Sequence, residues 1–81
     1  MNYMKMSMTN LNDWIRKLSQ TKPYRIMVKN GLGSYEILFL YGEYHYNDKL
    51  YAKDMEDELK CQKKVLEMCS TFEHNFKLKI F

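Results

Sequence analysis

Hydrophobic positions recur along this chain with two different periods, and the places where the period changes divide it into elements. Leu11, Trp14, Ile15 and Leu18 follow the i, i+3, i+4, i+7 spacing that lines one side of an α-helix. Asn10 stands where a cap is needed and Asp13 places a carboxylate near the positive end, while Arg16, Lys17 and Gln20 fall elsewhere. Pro23 disfavours helical backbone at Lys22, so this helix is expected to end by Thr21. The period then drops to two. Tyr24, Ile26 and Val28 alternate with Arg25, Met27 and Lys29, which predicts a half-buried strand. Asn30-Gly31 opens a turn that runs through Leu32-Gly33-Ser34, longer than a two-residue hairpin loop. Tyr35 to Tyr41 is apolar apart from Glu36, as a central strand would be, with Ile37 and Phe39 on one face and Leu38 and Leu40 on the other.

Two turns compete for the next segment. If Gly42-Glu43 turns the chain, Tyr44 to Tyr51 is a third strand; if Asn47-Asp48 does, one long strand runs through Tyr46. The first is preferred, because it lets Leu50 and Tyr51 pair back onto the hairpin. A second helix is expected from Lys53 to Thr71, with acids in its first turns and Lys60, Lys63 and Lys64 later, the polarity the helix dipole favours. Its apolar row is Met55, Leu59, Leu66 and Cys69, widened by Val65, Met68 and Phe72. Phe76, Leu78 and Ile80 alternate with Lys77 and Lys79 and predict a short terminal edge strand. The expected fold is α+β, in the order α-β-β-β-α-β. An antiparallel sheet of three to four strands carries both helices on one face.

Length allows no second core: 81 residues make a single domain, with residues 1–8 expected to be flexible. Met4, Met6 and Met8 offer alternative translation starts, so the first residues are expected to be dispensable. An aromatic content of 15% opposes disorder. No segment approaches the ~18 apolar residues of a membrane span, and the first residues do not read as a secretory signal, so the expected location is the cytoplasm. Cys61 and Cys69 lie about 12 Å apart along one helix, too far to bridge, and read as small hydrophobes in a reducing compartment.

Candidate chemistry is sparse. His45 and His74 have no nucleophile context, Cys61, Cys69 and His74 are too widely spaced for a zinc site, and Gly31-Leu32-Gly33 lacks the rest of a phosphate loop. The expectation is therefore no enzyme, no catalytic residues, no metal and no cofactor. Charge is more informative. Residues 1–34 carry six cations against Asp13, a net +5; residues 35–58 carry seven acids against Lys49 and Lys53, a net −5; residues 59–81 carry five lysines against Glu67 and Glu73, a net +3. Capping and solubility explain part of the acidic block, and a dipolar binding surface is the other reading. Tyr41, Tyr44, Tyr46 and Tyr51 crowd one hairpin. Tyr35 and Tyr41 share a face with Phe39 and read as packing, whereas Tyr44 and Tyr46 flank the turn and read as exposed, where tyrosine makes effective interface contacts.

In size and in order of elements from Asn10 to Phe72, the chain resembles small phage-encoded inhibitors of the anti-CRISPR kind. That resemblance implies stoichiometric binding to a CRISPR effector or another host nucleoprotein, in the host cytoplasm, as a monomer or homodimer. It places the contact surface within residues 36–58, at Glu43, Tyr44, Tyr46, Asp48, Asp54 and Asp57. The order α-β-β-β-α also resembles a double-stranded-RNA-binding domain, although the lysine cluster and loop element of that family are missing here. Nucleic acid would then be held by Arg16, Lys17, Lys22 and Arg25 with salt-sensitive affinity. A homo-oligomeric assembly subunit joined through a sheet edge is the third expectation.

Overall fold

Two glycines set the shape of the sheet. Gly33 and Gly42 take left-handed φ values of 72° and 59°, a conformation that glycine adopts without Cβ strain. Each sits in a two-residue turn, so that Gly31 pairs with Ser34 across the first and Tyr41 with Tyr44 across the second. The first loop is thus only Leu32-Gly33, shorter than the Asn30-to-Ser34 turn expected. The structure, a computed structural model, describes residues 4–78. In these, α1 (Met8–Gln20) leads to β1 (Arg25–Gly31), β2 (Ser34–Tyr41) and β3 (Tyr44–Tyr51). A short 3-10 turn (Ala52–Glu56) then precedes α2 (Glu58–Asn75). The sheet is antiparallel in the order β1-β2-β3, and the third strand comes after the Gly42-Glu43 turn, the preferred alternative.

Pairing parity sorts the side chains. Ile26 stands opposite Phe39 and Val28 opposite Ile37, while Phe39 and Ile37 stand opposite Tyr46 and Asp48 on β3. That face carries the core, with Ile26, Ile37, Phe39 and Leu50 buried against both helices. α1 packs on β1, contributing Leu11 and Ile15, and α2 packs across β2 and β3. Phe72 is the junction. Its ring lies 5.0 Å from Tyr24, 5.6 Å from Phe39, 6.2 Å from Tyr46 and 5.2 Å from Phe76. Tyr24 makes an edge-on contact with it, at an angle that suits the positive rim of one ring against the face of the next.

The cap of α1 is Ser7, not Asn10: its hydroxyl accepts the Asn10 N–H at 3.1 Å. The helix begins earlier because the residues before it are part of the fold. Met6 is 4% exposed, its N–H donates to the Met55 carbonyl at 2.8 Å, and the Met4 carbonyl accepts from Glu58 N–H at 2.8 Å. Of residues 1–8, expected to be flexible, 4–7 thus form an arm against the 3-10 turn and the start of α2, and Met8 opens α1.

The long second helix is interrupted. Asp57 adopts extended backbone (φ −133°, ψ 114°) and caps α2 through its carboxylate, which accepts the Leu59 and Lys60 N–H groups. The break resets the face that α2 turns to the core. Its buried row is Cys61, Val65, Met68, Cys69 and Phe72, whereas Leu59 and Leu66, expected inside, are 75% and 44% exposed. At the other end Lys77 has φ 51°, Leu78 N–H donates to the Glu73 carbonyl and Lys77 N–H to the His74 carbonyl. This pair of bonds is a Schellman cap. Phe76 and Leu78 therefore alternate because they terminate a helix and pack on the core, not because they form a strand. The remainder of the expected terminal strand, including Lys79 and Ile80, lies outside the described residues.

Two substitution sets test these assignments by urea denaturation. Phe72→Ala is expected to cost about 3–5 kcal/mol, while Leu59→Ala stays within about 0.5 kcal/mol; a continuous helix from Lys53 would make Leu59 the costly deletion. Lys77→Gly is expected to stabilise by about 1 kcal/mol, because it removes a Cβ from left-handed backbone.

Candidate partner-binding surface

Since both helices cover one side of the sheet, the residues of opposite parity form a second face that no other described element covers. Three cross-strand rows define it: Arg25–Leu40–His45, Met27–Leu38–Asn47 and Lys29–Glu36–Lys49, with Tyr51 beyond. Antiparallel sheets commonly present a polar face to water. Here the middle is apolar: Met27 and Leu40 are 40% and 37% exposed, and Leu38 between them is half-buried. The rim is mainly cationic. Glu36 accepts a hydrogen bond from the Asn47 amide, while among the described residues Arg25, Lys29 and Lys49 enter no ion pair.

The six residues expected at a partner surface do not come together. Asp54 is 4% exposed and accepts hydrogen bonds from Tyr51 N–H at 2.8 Å and from Lys64 Nζ at 2.9 Å. Asp57 is the helix cap described above. Both acids are occupied in building the entry to α2. Tyr46, expected to be exposed, is half-buried over Phe39 and Phe72, and its hydroxyl donates to Asp48 at 3.2 Å. Tyr44 is 49% exposed, with its ring 5.0 Å from Phe76. Glu43 is exposed in the turn and Asp48 is exposed on β3. Tyr41, expected to pack, is 40% exposed at the strand end. At about 3.3 Å per residue, Tyr44 and Tyr51 stand roughly 23 Å apart along β3, which separates the Glu43–Tyr44 turn from the Asp54–Asp57 corner.

The four cations expected to hold nucleic acid divide likewise. Arg16 and Lys17 both pair with Asp13, three and four residues back on α1. The Lys17 ammonium, and after it Arg16, hold the Asp13 carboxyl below its usual range. Lys22 pairs with Glu73 at 3.1 Å in a half-buried setting, alongside the Tyr24 hydroxyl, which donates to the same carboxylate oxygen. Arg25 alone reaches the open face. The open face itself was not expected from the sequence, although its signal was present: β2 is apolar in both phases of its alternation, and Met27 interrupts the polar phase of β1.

Burial decides the chemistry of the remaining reactive groups. It pushes the Cys61 thiol up to about 11, with the Asp54 and Glu58 carboxylates adding to the effect, and Cys61 donates to the Met55 sulfur at 3.7 Å. Burial also raises Cys69. Neither sulfur is a thiolate near neutrality, and the thiolate is the nucleophile. Tyr24 is raised too, first by burial and then by its bond to Glu73, so it remains a donor. Among the described residues, no three His, Cys, Asp or Glu side chains converge into a group that could hold a metal ion. None of the described helices is long and apolar enough to cross a membrane. Compared with known proteins, the chain matches no family model, no curated protein sequence and no solved structure.

Asp54 supplies a pH prediction. Burial by itself would raise its carboxyl, but the Tyr51 N–H and the Lys64 ammonium outweigh that and hold it below the usual value. A depressed folded-state pKa contributes stability above the unfolded value near about 3.9, and the contribution is lost as pH falls through the folded value. The protein is therefore expected to lose stability steadily on acidification below about pH 4. Asp54→Asn should cost about 1–3 kcal/mol at neutral pH and flatten that acid limb, as followed by urea midpoints across a pH series.

Proposed function

We propose that this chain is a non-enzymatic binding protein, a small inhibitor or adaptor that works stoichiometrically by laying the open face of its sheet on a partner protein. The observation that carries this is the apolar patch of Met27, Leu38 and Leu40 rimmed by Arg25, Lys29 and Lys49. An apolar centre with a charged rim is the anatomy of a protein interface, where buried centre residues supply affinity and rim charges supply orientation and on-rate. The rim's sign selects a partner surface that is acidic around an apolar centre. The wider proposal, a phage-encoded inhibitor of a host nucleoprotein or defence effector such as a CRISPR effector, is supported by the chain's size and order of elements. Direct nucleic-acid binding has less support, because Arg16, Lys17 and Lys22 are already matched with carboxylates.

Affinity capture from native cells, with nuclease treatment, tests the reading through paired variants. Met27→Glu combined with Leu40→Glu should abolish capture of any nuclease-resistant partner and leave the circular dichroism melt close to wild type. Tyr44→Ala combined with Asp48→Arg should retain capture. The reverse pattern would move the interface to the β2–β3 turn, and a partner released by nuclease would replace protein with nucleic acid.

A further inference from the structure

The open face alone is small for a stable complex. Three strands about 4.8 Å apart and about 23 Å long span only a few hundred Å², short of the roughly 800 Å² per partner of a standard interface. A partner held there needs further contact, and the adjoining β1 edge offers it. β1 ends the sheet, and among the described residues no strand pairs its outer side. The Ile26 N–H donates to Ser19 Oγ on α1 at 2.9 Å and therefore points away from β2. Alternation in an antiparallel ladder turns the backbone groups of Val28 and Asn30 the same way. A groove of about 710 Å³ runs along this edge, between the Asn12–Ser19 side of α1 and the Arg25–Val28 stretch of β1. Ser19 closes the groove at Ile26 and leaves it open beyond.

Side chains beside the edge restrict what can join it. Arg25, Met27 and Lys29 project together onto the open face, so a strand added to β1 would place its own alternate residues against cation, apolar group and cation. A second copy of this chain, paired antiparallel through β1, would bring four unpaired cations onto one face, and like charges on neighbouring strands repel. A strand with acids flanking an apolar residue would match all three positions.

We infer that β1 receives an extended segment of the partner protein as a fourth, antiparallel strand, with acidic side chains beside Arg25 and Lys29 and an apolar one beside Met27. Strand addition draws affinity from the main chain and specificity from alternate side chains. It rests on the open-face reading, because the added strand extends that face, and the test separates the two.

The probe is a capped synthetic peptide, Ser-Glu-Thr-Leu-Thr-Glu-Ser, with a counterpart carrying lysine at both glutamate positions. Each is titrated into isotope-labelled protein and followed by amide NMR shifts. The glutamate peptide should move the Val28 and Asn30 amides and bind about tenfold more tightly than the lysine peptide, the scale expected when two cross-strand charge pairs change sign. Reversing Arg25 and Lys29 to glutamate together should invert the preference. Val28→Pro removes an outward N–H without removing a bond to β2 and should weaken the glutamate peptide by a similar factor, with the wild-type amide spectrum away from β1 confirming the fold. Shifts at Leu38 and Leu40 without Val28 and Asn30 would overturn strand addition and leave the open-face reading standing. The open-face reading fails separately, if the variant combining Met27→Glu with Leu40→Glu still captures its partner. Equal binding of both peptides, or changes at the same amides on raising protein concentration without peptide, would overturn the acidic-segment assignment, the latter in favour of a second copy.

Discussion

The burial of Phe72 is the contact on which the remaining architecture depends. Its ring meets Tyr24 from the entry to β1, Phe39 from β2, Tyr46 from β3 and Phe76 from the end of its own helix. One residue further on, Glu73 takes the Tyr24 hydroxyl and the Lys22 ammonium, so the link between α2 and the loop after α1 is polar outside and aromatic inside. A three-stranded sheet of this size supplies one core, and packing α1 on β1 and α2 across β2 and β3 from the same side commits the core to that side. The opposite face, uncovered among the described residues, is the result of that choice. Its exposed apolar centre is thus a product of topology, and the rim decides what it attracts.

Intramolecular use of charge changes the meaning of the segregated sequence. The acidic middle of the chain looks like a surface when charges are only counted. In the fold, Asp54 is buried with Lys64 and the Tyr51 N–H, Asp57 caps α2, Asp48 meets the Tyr46 hydroxyl and Glu36 meets Asn47. These acids are largely committed within the molecule. Among the described residues Arg25, Lys29 and Lys49 of the sheet enter no ion pair, so the side available to a partner is more cationic than the local composition implies.

Strands, the Gly42 turn and the approximate end of α1 were legible because each has a strictly local cause: alternation, positive φ and proline. Parity was legible too and could have been carried further. With the turn at Gly42-Glu43, Tyr41 faces Tyr44 and Phe39 must face Tyr46, so pairing alone moves Tyr46 inside. What was not legible depends on non-local partners. Helical periodicity continues across Asp57, and the break there is held by the Asp57 cap together with the Met6–Met55 and Met4–Glu58 bonds to a segment far away in sequence. The alternation of Phe76 and Leu78 is shared by a strand and by a Schellman cap, and the positive φ falls on a lysine, which carries no signal for it. Ser7 lay within a methionine-rich run that resembles a loose start, so its capping role depended on the same arm contact.

That arm has a consequence for the order in which the molecule forms. Met4 and Met6 leave the ribosome before any strand of the sheet, yet their partners are Glu58 and Met55, on the far side of all three strands in the chain. Closing so long a loop costs entropy that local contacts do not repay until the sheet exists, and Phe72 emerges later still. The nascent chain therefore holds the arm unsatisfied for as long as the sheet is being made. The arm, the start of α2 and the aromatic junction thus close only after the residues of α2 have been made.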